Sequence, residues 1–153
     1  VNPALPAAGA GSPLERRRRA TQRTLDKFRG KPFSWQRATT CIHVTQFHLR
    51  AMGMKVQPVP RVRGPVAARR AMEARGWRDV GDLLAATGLA RIPAAMMLLG
   101  DLASFPSSDG MGGILICAGP QKLMGWREDH LHSFTMLDVS LDEIGEAWRV
   151  GGA

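Results

Sequence analysis

The sequence predicts an α+β fold, with a helical layer first and a small antiparallel sheet second. Two observations carry that prediction. Up to Gly88, the chain falls into segments opened by Ser, Thr, Asp or Gly-Pro and closed by glycine, the punctuation of helices. From Ile92 onward the apolar runs shorten and are separated by Pro106-Ser107-Ser108-Asp109-Gly110 and Gly119-Pro120, the punctuation of strands and turns. A run of helices followed by a run of strands is the α+β order. With 153 residues, 44% apolar content, four Trp and five Phe, the chain has enough bulk for one packed core.

Residues 1–11 are rich in Pro, Ala and Gly and offer little to bury. Ser12-Pro13-Leu14-Glu15 then opens a helix: Ser12 caps it, Pro13 occupies the first helical position and Glu15 completes a capping box. This helix is expected to pass through Arg16–Arg19 to about Phe28 and stop at Gly30. Only Leu14, Leu25 and Phe28 give it an apolar face, so it needs a partner surface. The expected division is therefore a basic N-terminal arm and helix over 1–31 and an α+β domain over 32–153.

Within the second region, Thr39 or Thr40 opens a helix that Gly53 closes. Two prolines, Pro58 and Pro60, force an extended connection. Gly64-Pro65 begins a helix to about Arg75, and Asp79 or Asp82 begins a shorter one ending at Gly88. Met96–Phe105, Gly113–Ala118, Lys122–Trp126 and Phe134–Val139 read as strands of a meander, with Asp129–His132 as a loop after the third. Ser140–Glu143 is a second capping box, and Ala147–Val150 closes the pattern.

Charge is unevenly spread. Residues 1–78 hold 17 Lys/Arg against 3 Asp/Glu, a balance of +14, whereas residues 79–153 hold 4 against 10, a balance of −6. That split suits an anionic partner for the first half, or head-to-tail packing against copies or neighbours. No apolar run reaches the length of a membrane span, and no basic-then-apolar leader opens the sequence. Two cysteines, Cys41 and Cys117, are too few for a disulfide scaffold. No phosphate loop, dinucleotide fingerprint, HExxH or CxxC occurs, so neither cofactor nor metal is expected.

The stretch with most chemical content runs from Phe33 to Gly53. Cys41 falls in the first turn of its helix, where the positive end of the helix dipole favours thiolate. That is the placement a cysteine peptidase or amidase needs. Cys117, in an apolar strand, is expected in the core, as are most of Trp35, Trp77, Trp126 and Trp148. His43 and His48 share the helix with Cys41 and read as surface or boundary residues. Asp101 is expected to cap a turn or to pair with Arg91 or Arg127.

Two segments together resemble a known family: Trp35 followed after five residues by Cys41 at a helix start, with Ala51-Met52-Gly53 at its end; and Leu99-Gly100-Asp101-Leu102, a turn, then Gly112–Gly119. They resemble the NlpC-type branch of the papain-like cysteine peptidases and amidases. More closely, with Ala147-Trp148-Arg149-Val150 as a tail, they resemble an uncharacterised branch encoded among phage tail genes. The resemblance implies a papain-like α+β fold from about Phe33 to Val150 with Cys41 at the nucleophile position. It also implies a catalytic His at the start of the strand after the Gly-Asp step. This chain has Gly113-Ile114 there, and no His between His48 and His130.

The expected function is a structural component of a phage tail tip or hub, located in the virion tail, on a peptidase-like fold that has lost its base. Arg16, Arg17, Arg18 and Arg19 would dock onto other tail proteins. The alternative is a working peptidoglycan hydrolase used at genome entry, with Cys41 as nucleophile and His130 or His132 as base. A third reading is a basic nucleic-acid-binding module, although a four-Arg run without interleaved aromatics reads bases poorly.

Overall fold

The structure, a computed structural model, describes residues 11–58 and 61–151. The expected Pro/Ala/Gly-rich start, apart from Gly11, and Pro60 lie outside the described residues. Four helices come first: α1 (Pro13–Phe28), α2 (Cys41–Ala51), α3 (Pro65–Ala74) and α4 (Val80–Ala86). Six strands follow: β1 (Ala90–Ile92), β2 (Leu102–Phe105), β3 (Gly113–Gly119), β4 (Lys122–Arg127), β5 (His130–Asp138) and β6 (Glu146–Arg149). They form one antiparallel sheet in the order β1-β6-β2-β3-β4-β5. The α+β prediction holds, and β2 to β5 make the expected meander, although only Leu102–Phe105 of the expected Met96–Phe105 run is strand and Ala94–Met96 is a 3-10 turn.

The helix starts follow their caps. Ser12 accepts from the Glu15 amide, Thr40 from that of His43 and Asp79 from that of Asp82. Gly53, Gly76 and Gly88 follow α2, α3 and α4 with positive φ, as glycine after a helix end should. Two differences stand out in the sheet. β1 is only three residues long and has no strand-like run to announce it. His130–His132, expected as a loop, opens β5, because the Arg127↔His130 pairing closes the hairpin over Glu128 and Asp129, four residues before the expected strand start at Phe134.

The main core lies between the helices and one sheet face. Leu25 and Phe28 of α1 and Val44 and Leu49 of α2 pack there with Ile114, Ile116, Trp126 and Phe134. A smaller cluster around Ala103, Leu115, Cys117, Leu123 and Val139 covers the other face. The expectation for Cys117, Trp126 and Trp148 holds, while Trp35 and Trp77 are half-buried.

α1 is pinned by charge as well as by apolar packing. Arg17 is buried; its guanidinium meets Asp101 at 3.0 Å and donates to Leu99 O and Val150 O. Asp101 also accepts from the amides of Leu98 and Val150, and Arg149 Nε lies 2.9 Å from its Oδ2. The carboxylate thus pairs with Arg17 and Arg149, not with Arg91 or Arg127, which bond to Glu146 and to Asp129 and Glu143.

The segment after α1 runs along the edge of β5. Gly30 N donates to Phe134 O, Phe134 N to Lys31 O and Phe33 N to Leu131 O. Covering an edge in this way protects unpaired strand groups. It also fixes the approach to α2, because Trp126 Nε1 donates to Lys31 O at 2.8 Å. The expected boundary at residue 31 runs through this hydrogen-bonded segment, and α1 packs in the same core as the rest.

Candidate functional site

Cys41 is set by a short backbone clasp and a cap. Ser34 and Thr39 exchange both backbone hydrogen bonds, with Ala38 at positive φ, and Thr39 Oγ1 donates to Pro32 O. Thr40, fully buried, then caps α2. Cys41 then opens α2, and its side chain lines the groove that Gly113, at the start of β3, also lines.

The thiol lines a groove of about 620 Å³ between α2 and the sheet. Phe33, Trp35 and Trp126 form an aromatic wall, with Phe33 edge-on to both tryptophans at 5.8 Å. Asp109, Glu128, Asp129 and Glu143 supply carboxylates to the lining, and Arg127 is its one cationic residue.

The electrostatics of Cys41 reverse the expectation from the helix dipole. Its pKa is pushed up from 9.0 to about 11, first by desolvation and further by the Asp109 charge. The amide N–H groups of Ile114, Ile42 and Cys41 itself pull it down, but not far enough. The side chain retains some exposure at the groove, yet its surroundings are dry enough for the neutral thiol to dominate.

No imidazole lines the groove. His130 and His132 meet edge-on, ring centres 4.2 Å apart, while the intervening Leu131 contributes to the lining. His43 turns back on its own cap: Nδ1 is 2.7 Å from Thr40 Oγ1. His48, expected at the surface or boundary, is fully buried. Its Nε2 is 2.8 Å from Gly100 O and its Nδ1 2.9 Å from Thr24 Oγ1, so both ring nitrogens are satisfied. That pattern makes it a neutral Nε2–H imidazole, donating to the carbonyl, and burial lowers its pKa to about 4. Sequence reasoning missed this residue because its partners lie 24 and 52 positions away. No group of three His, Cys, Asp or Glu residues suited to a metal occurs among the described residues.

The four consecutive arginines divide. Arg17 points into the Asp101 network and is not available to a partner. Arg16 donates to Gly11 O. Arg18 and Arg19 are exposed and, with Gln22 and Arg23, form a strip along the outer side of α1.

Solved structures that contain NlpC/p60 domains share this chain's arrangement of helices packed on an antiparallel sheet. The NlpC/p60 domain of the peptidoglycan hydrolase SagA matches with a TM-score of 0.53 and 16% identity over 85% of this chain and 96% of that one. The peptidoglycan hydrolase RipB from Mycobacterium tuberculosis matches at 0.54 and 14% identity, over 100% of this chain and 75% of that one. A lipoprotein-like member of the NLP/P60 family from Staphylococcus aureus matches at 0.55 and 15% identity, over 91% of this chain but only 42% of that one. These likenesses establish the papain-like NlpC fold. At the level of sequence, residues 12–150 match the family described as Domain of unknown function (DUF6950), and the chain belongs to it. No curated protein matches the sequence.

Proposed function

We propose that this chain is a non-hydrolysing NlpC-type domain serving as a structural component of a bacteriophage tail tip or hub. The observation that carries the loss of hydrolysis is that no imidazole lines the groove that Cys41 shares with Gly113. Gly113, at the start of β3, has no side chain to take a proton. A cysteine nucleophile needs a base within hydrogen-bond reach or a lowered pKa, and this thiol has neither. What remains is a shaped groove and an exposed basic helix, features suited to assembly. The tail setting is supported by the resemblance of the Cys41 and Gly100-Asp101 segments to phage-borne relatives.

The hydrolase reading retains a specific point in its favour, since Cys41 does line a groove of ligand size. Incubation of the reduced protein with purified peptidoglycan, with Cys41→Ser as control, separates the two. The structural reading expects no soluble muropeptides from either form; release by the native protein alone would overturn it. Peptide mass spectrometry of purified virions then tests the location: a fixed stoichiometry with tail proteins is expected, and absence from virions removes the tail assignment.

A further inference from the structure

The exposed face of α1 and the groove beside Cys41 are complementary. Arg19 and Arg23 are one helical turn apart, with Arg18 and Gln22 flanking them. Arg18, Arg19 and Arg23 are exposed and have no carboxylate partner among the described residues. The groove carries the opposite excess, four carboxylates against one guanidinium beside an aromatic wall; Arg127 meets Asp129 and Glu143, Asp109 and Glu128 accept from Ser107 and Ser108, and three negative charges remain uncompensated. Guanidinium groups pair with carboxylates through two parallel hydrogen bonds and stack on aromatic rings, so this lining suits arginine better than lysine. The two surfaces share no residue.

We infer that the groove of one copy receives the Arg18/Arg19/Arg23 strip of a second copy, so that the chain assembles head to tail. The inference rests on the structural reading of the fold and names the partner of its groove and its basic helix. Charge complementarity identifies the occupant. The same chain that leaves three arginines unpaired on one surface concentrates carboxylates on another, following its split of +14 and −6. A contact between two different patches can repeat from copy to copy, giving a ring if the rotation closes and a filament if it does not.

Two variants, each lacking one surface, test this. Arg18→Ala/Arg19→Ala/Arg23→Ala removes the strip. Glu128→Gln/Asp129→Asn/Glu143→Gln neutralises the rim, and the Gln at 143 keeps the Ser140 capping box available. All six positions are exposed, and circular dichroism checks that both variants fold. Sedimentation velocity of the native chain is expected to show species above monomer at low salt that dissociate between about 50 and about 500 mM NaCl. Each variant alone is expected to be monomeric. Mixed together, they are expected to form one 1:1 complex that cannot grow, with Cys41 of the strip variant, whose groove is then filled, alkylated at least tenfold more slowly than in that variant alone. A native chain monomeric at low salt would overturn the inference, as would association surviving in either variant. A mixed complex that leaves Cys41 equally reactive would place the contact elsewhere and overturn it too. A monomer lacking peptidoglycan activity would sink this assembly while leaving the non-hydrolysing fold intact.

Discussion

Arg17 Nη1 lies 3.0 Å from Asp101 Oδ1 with both side chains buried, and this contact joins α1 to the entrance of β2. It turns a helix with a largely polar surface into part of the core. Arg17 also satisfies the carbonyls of Leu99 and Val150, so one guanidinium links the first helix, the approach to β2 and the end of the chain's last strand.

Breaking this pair should be costly, because each partner stays buried with less compensation: Asp101 keeps Arg149 and two amides, and Arg17 keeps only two carbonyls. Arg17→Met or Asp101→Asn is expected to lower stability by about 3–5 kcal/mol. Urea denaturation reads the change as a fall in midpoint at an unchanged slope. By contrast, Arg18→Met, on the exposed side of the same helix, is expected to stay within about 0.5 kcal/mol of the native chain. A comparable loss at both positions would mean that helix formation, not the buried pair, is what matters.

Acid should weaken the fold through His48. Its folded-state pKa, about 4, lies below the ordinary 6.5, so the unfolded chain binds the proton first as pH falls. The contribution is fully present above pH 6.5 and is lost progressively down to about pH 4, approaching about 3 kcal/mol in total. His48→Gln is expected to fold less stably at pH 7 but with a flatter pH dependence over that window. The check is a series of denaturation curves from pH 7 to 4; parallel profiles for the two proteins would remove His48 as the cause.

Gly112 is held in a backbone that other residues resist. Its φ is +82°, and a Cβ there would come within 2.7 Å of the Phe105 carbonyl oxygen. Gly112→Ala is expected to cost about 1–3 kcal/mol from strain alone. Gly113→Ala, one residue on with open space around the added carbon, serves as the matched control. Thermal melting of the pair distinguishes local geometry from a general intolerance of the β2–β3 turn.

The helices were legible because their punctuation is local: Ser12, Thr40 and Asp79 cap in the structure as their spacing to the following residues implies. The role of the first half of α1 was not, since its inward face there is Arg17, Ala20, Thr21 and Thr24, with Leu25 and Phe28 following only at the end, and the carboxylate that accommodates Arg17 lies 84 residues away. β1 is too short to carry a period, and the polar start of β5 reads like a loop. Cys41 shows the same limit in chemistry. Its helix start was visible, but the burial that raises its thiol comes from tertiary packing that no local pattern announces.

The groove lacks a base but not room for one. No heavy atom lies within 4 Å of a Cβ built on Gly113, whose φ is one any residue adopts. This residue also occupies the place where the NlpC-type pattern begins its catalytic strand. Native Cys41, with its pKa near 11, is expected to react with iodoacetamide at a rate still climbing between pH 8 and 10. In Gly113→His, an imidazole able to take the proton should stabilise the thiolate and lower the apparent pKa by roughly 2 units or more, as paired cysteines show. Alkylation at pH 7 would then rise by about tenfold or more, with a new inflection at the histidine's own titration. Gly113→Gln, similar in size and unable to accept a proton near neutrality, should leave the native profile. If the histidine variant behaves like the glutamine one, the thiol is kept protonated by its dry surroundings. In that case no single residue separates this fold from a working nucleophile.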